Sequence, residues 1–283
     1  MPTVPAAVRK FADSLTHPVA LIGCRTTEMS LDCCEYDLAL FASGDNRVVQ
    51  VDGRAVELVY FARPMKNHLV EMGGMQVLED THKIALSSVA KDITPAKYRR
   101  ALAAAGKKSL INSLFCQQKM RQAKHPVAAS MWLKLAAYEF VGGMLALSGN
   151  RPMPLHELEQ VRQANADTMA EGVEAALECI GIERATRPAI VRSVHAVKEL
   201  KSKDYDRDLF ISKVDHLLGR SMLADCYYYV GRVATKNLAG RKEPFYSRYA
   251  KLVQLALDLS SDVQHLGKLQ KRLFRAANGG LKG

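Results

Sequence analysis

Glu35 and Asp37 stand two residues apart in the segment Cys34-Glu35-Tyr36-Asp37-Leu38-Ala39-Leu40-Phe41. On a strand that spacing puts both carboxylates on one face. The rest of the segment is apolar on both faces, Leu38 and Leu40 on one and Ala39 and Phe41 on the other, as a central buried strand requires. Two like charges there repel each other and are poorly solvated unless a cation neutralises them. Glu57 repeats the pattern as the single charge in Ala55-Val56-Glu57-Leu58-Val59-Tyr60-Phe61. If that strand lies beside the first, three carboxylates converge, and hard oxygen ligands of this kind suit Mg²⁺. Two such ions about 3.5–4 Å apart can orient an attacking hydroxyl and stabilise a leaving phosphate. Simpler accounts exist for each residue: a solvated strand end for Glu35 and Asp37, or an ion pair of Glu57 with Arg54 or Lys66.

Upstream, Gly23-Cys24-Arg25 follows a short apolar strand, Val19 to Gly23. A glycine at such a turn lets the backbone approach a phosphate, and the adjoining amides can donate to it. Arg25 could then pair with phosphate oxygens. An ordinary strand-to-helix turn is the plainer reading of the same residues.

The elements that must position these groups fall into two textures. Pro5 to Leu15 has helical spacing, and Tyr36–Phe41, Arg47–Val51, Ala55–Phe61 and Met75–Leu78 read as strands. Ser43-Gly44-Asp45-Asn46 reads as a hairpin-like turn and Asp52-Gly53 as another. Pro64 to Met72 reads as a short helix ended by Gly73-Gly74. After Thr94-Pro95 nearly everything has a period near 3.6, with helices expected at about 95–124, 127–148, 155–180, 188–201, 207–237 and 244–276. Lys268 to Gly283 reads as a frayed tail. The expected class is therefore α+β, a small mixed-sheet domain over residues 1–92 followed by a larger all-α domain over 93–283.

At this point the residues resemble a known family. Ile22-Gly23-Cys24-Arg25, followed by Cys34-Glu35-Tyr36-Asp37-Leu38-Ala39-Leu40-Phe41, is similar to the nucleotidyltransferase superfamily typified by DNA polymerase β and the aminoglycoside nucleotidyltransferases. That family has a Gly-Ser turn, about a dozen residues later an acid-x-acid strand, and a third acid on a later strand, where Glu57 falls. Gly73 to Asp80 is similar to the short strand that closes the domain, and Trp132 to Leu158 looks like the helical substrate domain of the small antibiotic-modifying members. The resemblance implies transfer of an NMP from ATP or another NTP to a hydroxyl acceptor, with release of pyrophosphate. It implies metal on Glu35, Asp37 and Glu57, two Mg²⁺ ions by the family pattern, and the triphosphate over Gly23, Cys24 and Arg25. The acceptor, a small molecule, an RNA or a protein, would lie between the two domains. Here Cys24 stands where the family has Ser, and Glu35 and Glu57 where it usually has Asp. Those departures motivate a rival reading, a catalytically degenerate module of the same fold that binds nucleic acid or a partner protein.

Composition sets the frame. The 283 residues suffice for two domains with proper cores. No apolar run approaches the roughly 18 residues that a bilayer crossing needs, and no signal peptide is expected from Met1 to Lys10. The six cysteines form no CxxC pair, a pattern that suits a reducing cytoplasm. The net charge of +11 is uneven: residues 1–90 hold 8 Lys+Arg and 11 Asp+Glu, while the remainder nets +14. A basic helical domain attracts polyanions, nucleic acid among them, although solvated helix faces explain the charge equally well. The clusters Lys97-Arg99-Arg100 and Lys107-Lys108 are the ones expected to contact phosphate; Lys119-Arg121-Lys124 and Lys198-Lys201-Lys203 read as solvated. The helical domain could also mediate a homodimer. No two of the eight histidines have metal-ligand spacing on one helix face, and Tyr227-Tyr228-Tyr229 reads as helix packing. Glu139 is the candidate general base.

Overall fold

The computed structural model describes residues 4–61, 68–79, 86–164, 170–200, 206–260 and 262–282. The fold is α+β, a five-stranded mixed sheet followed by a mostly helical region. By contact density the chain divides into two compact units, Met1–Ala101 with Asp206–Lys213, and Leu102–Tyr205 with Val214–Gly283.

The sheet comprises β1 (Val19–Ile22), β2 (Tyr36–Leu40), β3 (Arg47–Val51), β4 (Arg54–Tyr60) and β5 (Gln76–Glu79), in the order β3-β4-β2-β1-β5. Strand β4 runs parallel to β2 and antiparallel to β3, so it inserts between two strands that are consecutive in sequence. For that reason Ser43–Asn46 is a connection and not a hairpin turn. The hairpin is β3–β4, closed by Asp52 (φ 50°) and Gly53 (φ 70°). Positive φ at both central residues is the geometry that matches strand twist, and Asp-Gly supplies it cheaply.

Period-2 alternation sorts the apolar residues of the sheet into two clusters. Val19, Leu21, Tyr36, Leu38, Leu40, Val56 and Leu58 pack with Val8 and Ala12 of helix α1 (Ala6–Asp13). On the opposite face Ala20, Ile22, Ala39 and Phe41 pack with Met72 of α2 (Leu69–Met72) and Leu86 of α3 (Leu86–Asp92). Covered on both faces, β1 is apolar throughout and β2 is apolar but for Asp37. Residues 64–67 of the expected short helix lie outside the described residues.

The remaining helices are α4 (Pro95–Gln122), α5 (Pro126–Leu147), α6 (Glu157–Gln163), α7 (Ala170–Ile180), α8 (Arg187–Glu199), α9 (Arg207–Gly219), α10 (Leu223–Ala239), α11 (Glu243–Arg248), α12 (Ala250–Leu257) and α13 (Val263–Lys282). Three expected helices are divided. The stretch 155–180 gives α6 and α7, with extended backbone at Ala164 (ψ 127°) after the first. The stretch 207–237 breaks at Ser221 (φ 56°), and 244–276 breaks at Tyr249 and again at Asp258 (φ 48°). Neither Ser221 nor Asp258 announces a left-handed residue as glycine would. The expected frayed tail is instead helical to Lys282, because Leu269, Leu273 and Ala277 are buried along one stripe. Among the described residues no helix is long and apolar enough to cross a membrane.

The helical unit buries an amine. Lys134 of α5 is buried, donates to the carbonyl of Leu257 and lies near the ring of Tyr227. Burial, followed by the charge of Arg184, lowers its pKa to about 7. Burial pushes the thiols of Cys116, Cys179 and Cys226 up to about 12. Between pH 7 and its ordinary value of 10.5, the lysine binds a proton more readily in the unfolded chain, so stability rises with pH. Above about pH 9 the thiols reverse the sign, since the unfolded chain loses protons that the folded one keeps. Stability is therefore expected to peak between about pH 8 and 9. Urea unfolding across pH 6.5–11 checks this. Lys134→Met should flatten the rising limb, about 1.4 kcal/mol per pH unit at most, and leave the falling limb in place.

Candidate metal centre

Register decides how the three acids meet. Strand β1 is antiparallel to β2 with Ile22 opposite Asp37, and β2 is parallel to β4 with Asp37 opposite Glu57. Ile22, Asp37 and Glu57 thus form one row across the sheet, on the face of Ala39 and Phe41. Glu35, two residues before Asp37, shares that face. Carboxylate oxygens of Glu35, Asp37 and Glu57 lie within 4.8 Å of one another, and all three residues are part-buried. Like charges this close in a half-desolvated place repel strongly, so the arrangement stores a demand for cations.

The turn after β1 is fitted to Asp37. Gly23 has φ 77° and ψ −162°, a region essentially confined to glycine. A Cβ at Gly23 would overlap Asp37 Oδ2. The glycine therefore meets two needs, a backbone that other residues do not adopt and room for the carboxylate. A single 3₁₀ turn, Cys24–Thr26, follows. It is braced by Thr26 Oγ1, which donates to the Gly23 carbonyl at 2.8 Å, and by Thr27 Oγ1, which donates to that of Cys24 at 2.8 Å.

Arg25 does something other than what its sequence position suggests. Its Nε donates to the carbonyl of Cys34 at 3.0 Å and its Nη2 to that of Asp32 at 3.1 Å. Its guanidinium also lies 4.6 Å from the Tyr36 ring centroid. These contacts hold the loop that delivers Glu35 to the site, so Arg25 shapes the acid strand. Cys24 keeps a neutral thiol: the hydrogen bond it shares with Cys34, then burial, raise its pKa above the ordinary thiol range.

Comparison with protein-family models, with curated proteins and with solved structures found no match. The donor set is all hard oxygen, which suits Mg²⁺ over softer ions.

One functional group escaped the sequence reading. Lys213, near the middle of α9, is 9% exposed and places Nζ 2.7 Å from both oxygens of Glu35, donating to Oε1. Its segment belongs to the first unit. No local pattern marks it, because 178 residues separate it from its partner. Lys213 is an internal cation that would compete with any metal for Glu35. Lys213→Met is expected to tighten Mg²⁺ binding about tenfold, and to lower the melting temperature most when Mg²⁺ is absent, because it leaves a buried carboxylate unpaired. Calorimetric titration and thermal unfolding with and without Mg²⁺ check both.

Glu139 sits in the helical unit, where its Oε1 accepts from Arg232 at 3.2 Å and its Oε2 from Asn112 at 3.3 Å. Both carboxylate oxygens are engaged, which suits a structural ion pair better than a general base. Of the expected phosphate contacts, Lys97, Arg99, Arg100, Lys107 and Lys108 are all exposed. Lys66 and Asp80 lie outside the described residues, as do Lys201 and Lys203. Arg54 pairs with Asp52 at 2.8 Å. Tyr227, Tyr228 and Tyr229 are buried; Tyr228 donates to Glu157 and Tyr227 to Asp258.

Proposed function

We propose that this chain is a divalent-metal-dependent nucleotidyltransferase, moving an NMP from an NTP to a hydroxyl acceptor with release of pyrophosphate. The observation that carries the reading is the meeting of Glu35, Asp37 and Glu57 within 4.8 Å on adjacent strands, with a glycine-only turn packed against Asp37. Glu35, Asp37 and Glu57 would hold Mg²⁺, which supplies neutralisation of phosphate charge and Lewis-acid assistance to an attacking hydroxyl. The chain's own residues contribute placement. Gly23 keeps the backbone low so that a phosphate can come close to the acids. Arg25 and Tyr36 fix the approach of Glu35. Lys213 carries the counter-charge of Glu35 and, released from it, is a cation for the transferred phosphate. Six free cysteines agree with a reducing compartment such as the cytoplasm.

A second reading has its own observation. With Glu35 ion-paired, Arg25 committed to backbone carbonyls and a thiol at Cys24, the same fold would serve as a non-catalytic module. Incubation with each labelled NTP, Mg²⁺ and separate pools of RNA, protein and small metabolites distinguishes the two. Label transferred with release of pyrophosphate supports the enzyme. Nucleotide turnover absent from every pool, with Mg²⁺ binding absent as well, leaves the module.

A further inference from the structure

Helices α4 and α13 of the helical unit are neighbours: Gln270 Nε2 donates to Gln117 Oε1 at 2.9 Å, and the Arg121 guanidinium lies 5.3 Å from the Phe274 ring centroid. From Leu102 to Gln122, and along the whole of α13, there is no Asp or Glu. The cations are Lys107, Lys108, Lys119 and Arg121 on one helix and Lys268, Lys271, Arg272, Arg275 and Lys282 on the other. Arg272 pairs with Glu178; the other eight have no ion pair among the described residues. A random surface of this protein would mix signs. This one segregates them.

Large apolar side chains stand in the open among these cations. Ile111 and Phe115 are each 56% exposed and Phe274 is 39% exposed. Lys107, Ile111, Phe115 and Lys119 follow one another at i, i+4, so two apolar side chains lie between two lysines along one line of α4. The Lys119 ammonium lies 5.3 Å from the Phe115 ring centroid. The apolar stripe of α13 is already spent on the core, through Leu266, Leu269, Leu273 and Ala277. What remains exposed is therefore too little and too divided for insertion into a bilayer interface, which needs a continuous apolar face.

We infer that the paired α4–α13 face binds single-stranded nucleic acid, with Phe115 and Phe274 stacking on unpaired bases and the surrounding lysines and arginines holding phosphates. Aromatic rings serve unpaired bases without regard to sequence, and a surface rich in lysine and arginine tracks the backbone. A duplex hides its bases and would leave both rings unused. α13 alone runs about 30 Å, enough for several consecutive nucleotides. The inference stands apart from the metal centre, since none of its residues belongs to that site.

The test uses the full chain and a fluorescently labelled oligouridine, with anisotropy read at several salt concentrations. Affinity is expected to fall with salt, with a log–log slope near −3 if about four phosphates are held. Phe115→Ala should weaken binding about tenfold with little change of slope, because it removes a stacking platform. Lys107→Glu/Lys108→Glu/Lys271→Glu should weaken it at least about a hundredfold and flatten the slope by about two. All these side chains are exposed, so the variants should fold, which circular dichroism confirms. Binding that neither variant changes overturns the inference. So does preference for duplex or for anionic vesicles, or equal binding of heparin with Phe115→Ala silent, which would mark a general polyanion surface. Failure here leaves the metal-centre reading intact, because Mg²⁺ titration reads that site separately.

Discussion

Asp37→Asn is expected to abolish the Mg²⁺-dependent thermal shift and to reduce nucleotide transfer by a factor of about 10³ or more, since metal ions at such centres supply several kcal/mol of transition-state stabilisation. The amide keeps the shape that Gly23 accommodates, so the loss would report charge and ligation rather than packing. Asp37 occupies the middle of the carboxylate row, paired in register with Glu57 and packed on the turn after β1. Glu57→Gln should come second. Glu35→Gln should cost least in metal affinity, because Lys213 already shares that carboxylate. Asp45→Asn, in the exposed connection after β2, is the matched control. Equal shifts for wild type and Asp37→Asn, with Mg²⁺ and ATP titrated against both, would remove the case for a metal–nucleotide site.

The second large effect is expected at Gly23. Alanine there must leave a glycine-only backbone region and also displace the Asp37 carboxylate. Strain of about 1–3 kcal/mol and a comparable overpacking penalty add to a loss on the order of 4 kcal/mol, large beside the stability of an ordinary domain. Gly53→Ala is the internal comparison: φ is again positive, at 70°, but nothing lies within 4 Å of the added carbon. Only the backbone cost of roughly 1 kcal/mol should appear there. The double variant Gly23→Ala/Asp37→Ala should recover about half of the Gly23→Ala loss, because it relieves the clash and leaves the strain. If the two substitutions add without coupling in urea unfolding, the glycine is required for backbone reasons alone.

Much of the first unit could be read from local pattern. Strands β1 to β5 are short apolar runs bounded by turn residues, and each was expected within about two residues of its place. The acids of the candidate centre stood out as charges within otherwise apolar runs. What local pattern could not reveal was pairing. Nothing in Ser43–Asn46 says that β4 will enter between β2 and β3, although that insertion is what sets Glu57 beside Asp37. The carbonyl partners of Arg25 belong to a loop whose path the sequence does not specify. Lys213 was hidden by distance along the chain. In the helical unit, element type was legible and breaks were not, since Ser221 and Asp258 adopt left-handed conformations without being glycine. That the resemblance to nucleotidyltransferases was drawn from the same few motifs makes the Asp37 experiment the one on which it depends.

The assignment of Asp206–Lys213 to the first unit has a consequence in time. During synthesis the five strands leave the ribosome long before α9 does, at about 5–20 residues per second. For several seconds the three acids are therefore out of the ribosome with no Lys213 to face. If the proposed centre binds Mg²⁺, the ion would meet that row before Lys213 does. On this view the metal would act as a folding ligand first, and the lysine would arrive to a site already shaped around a cation.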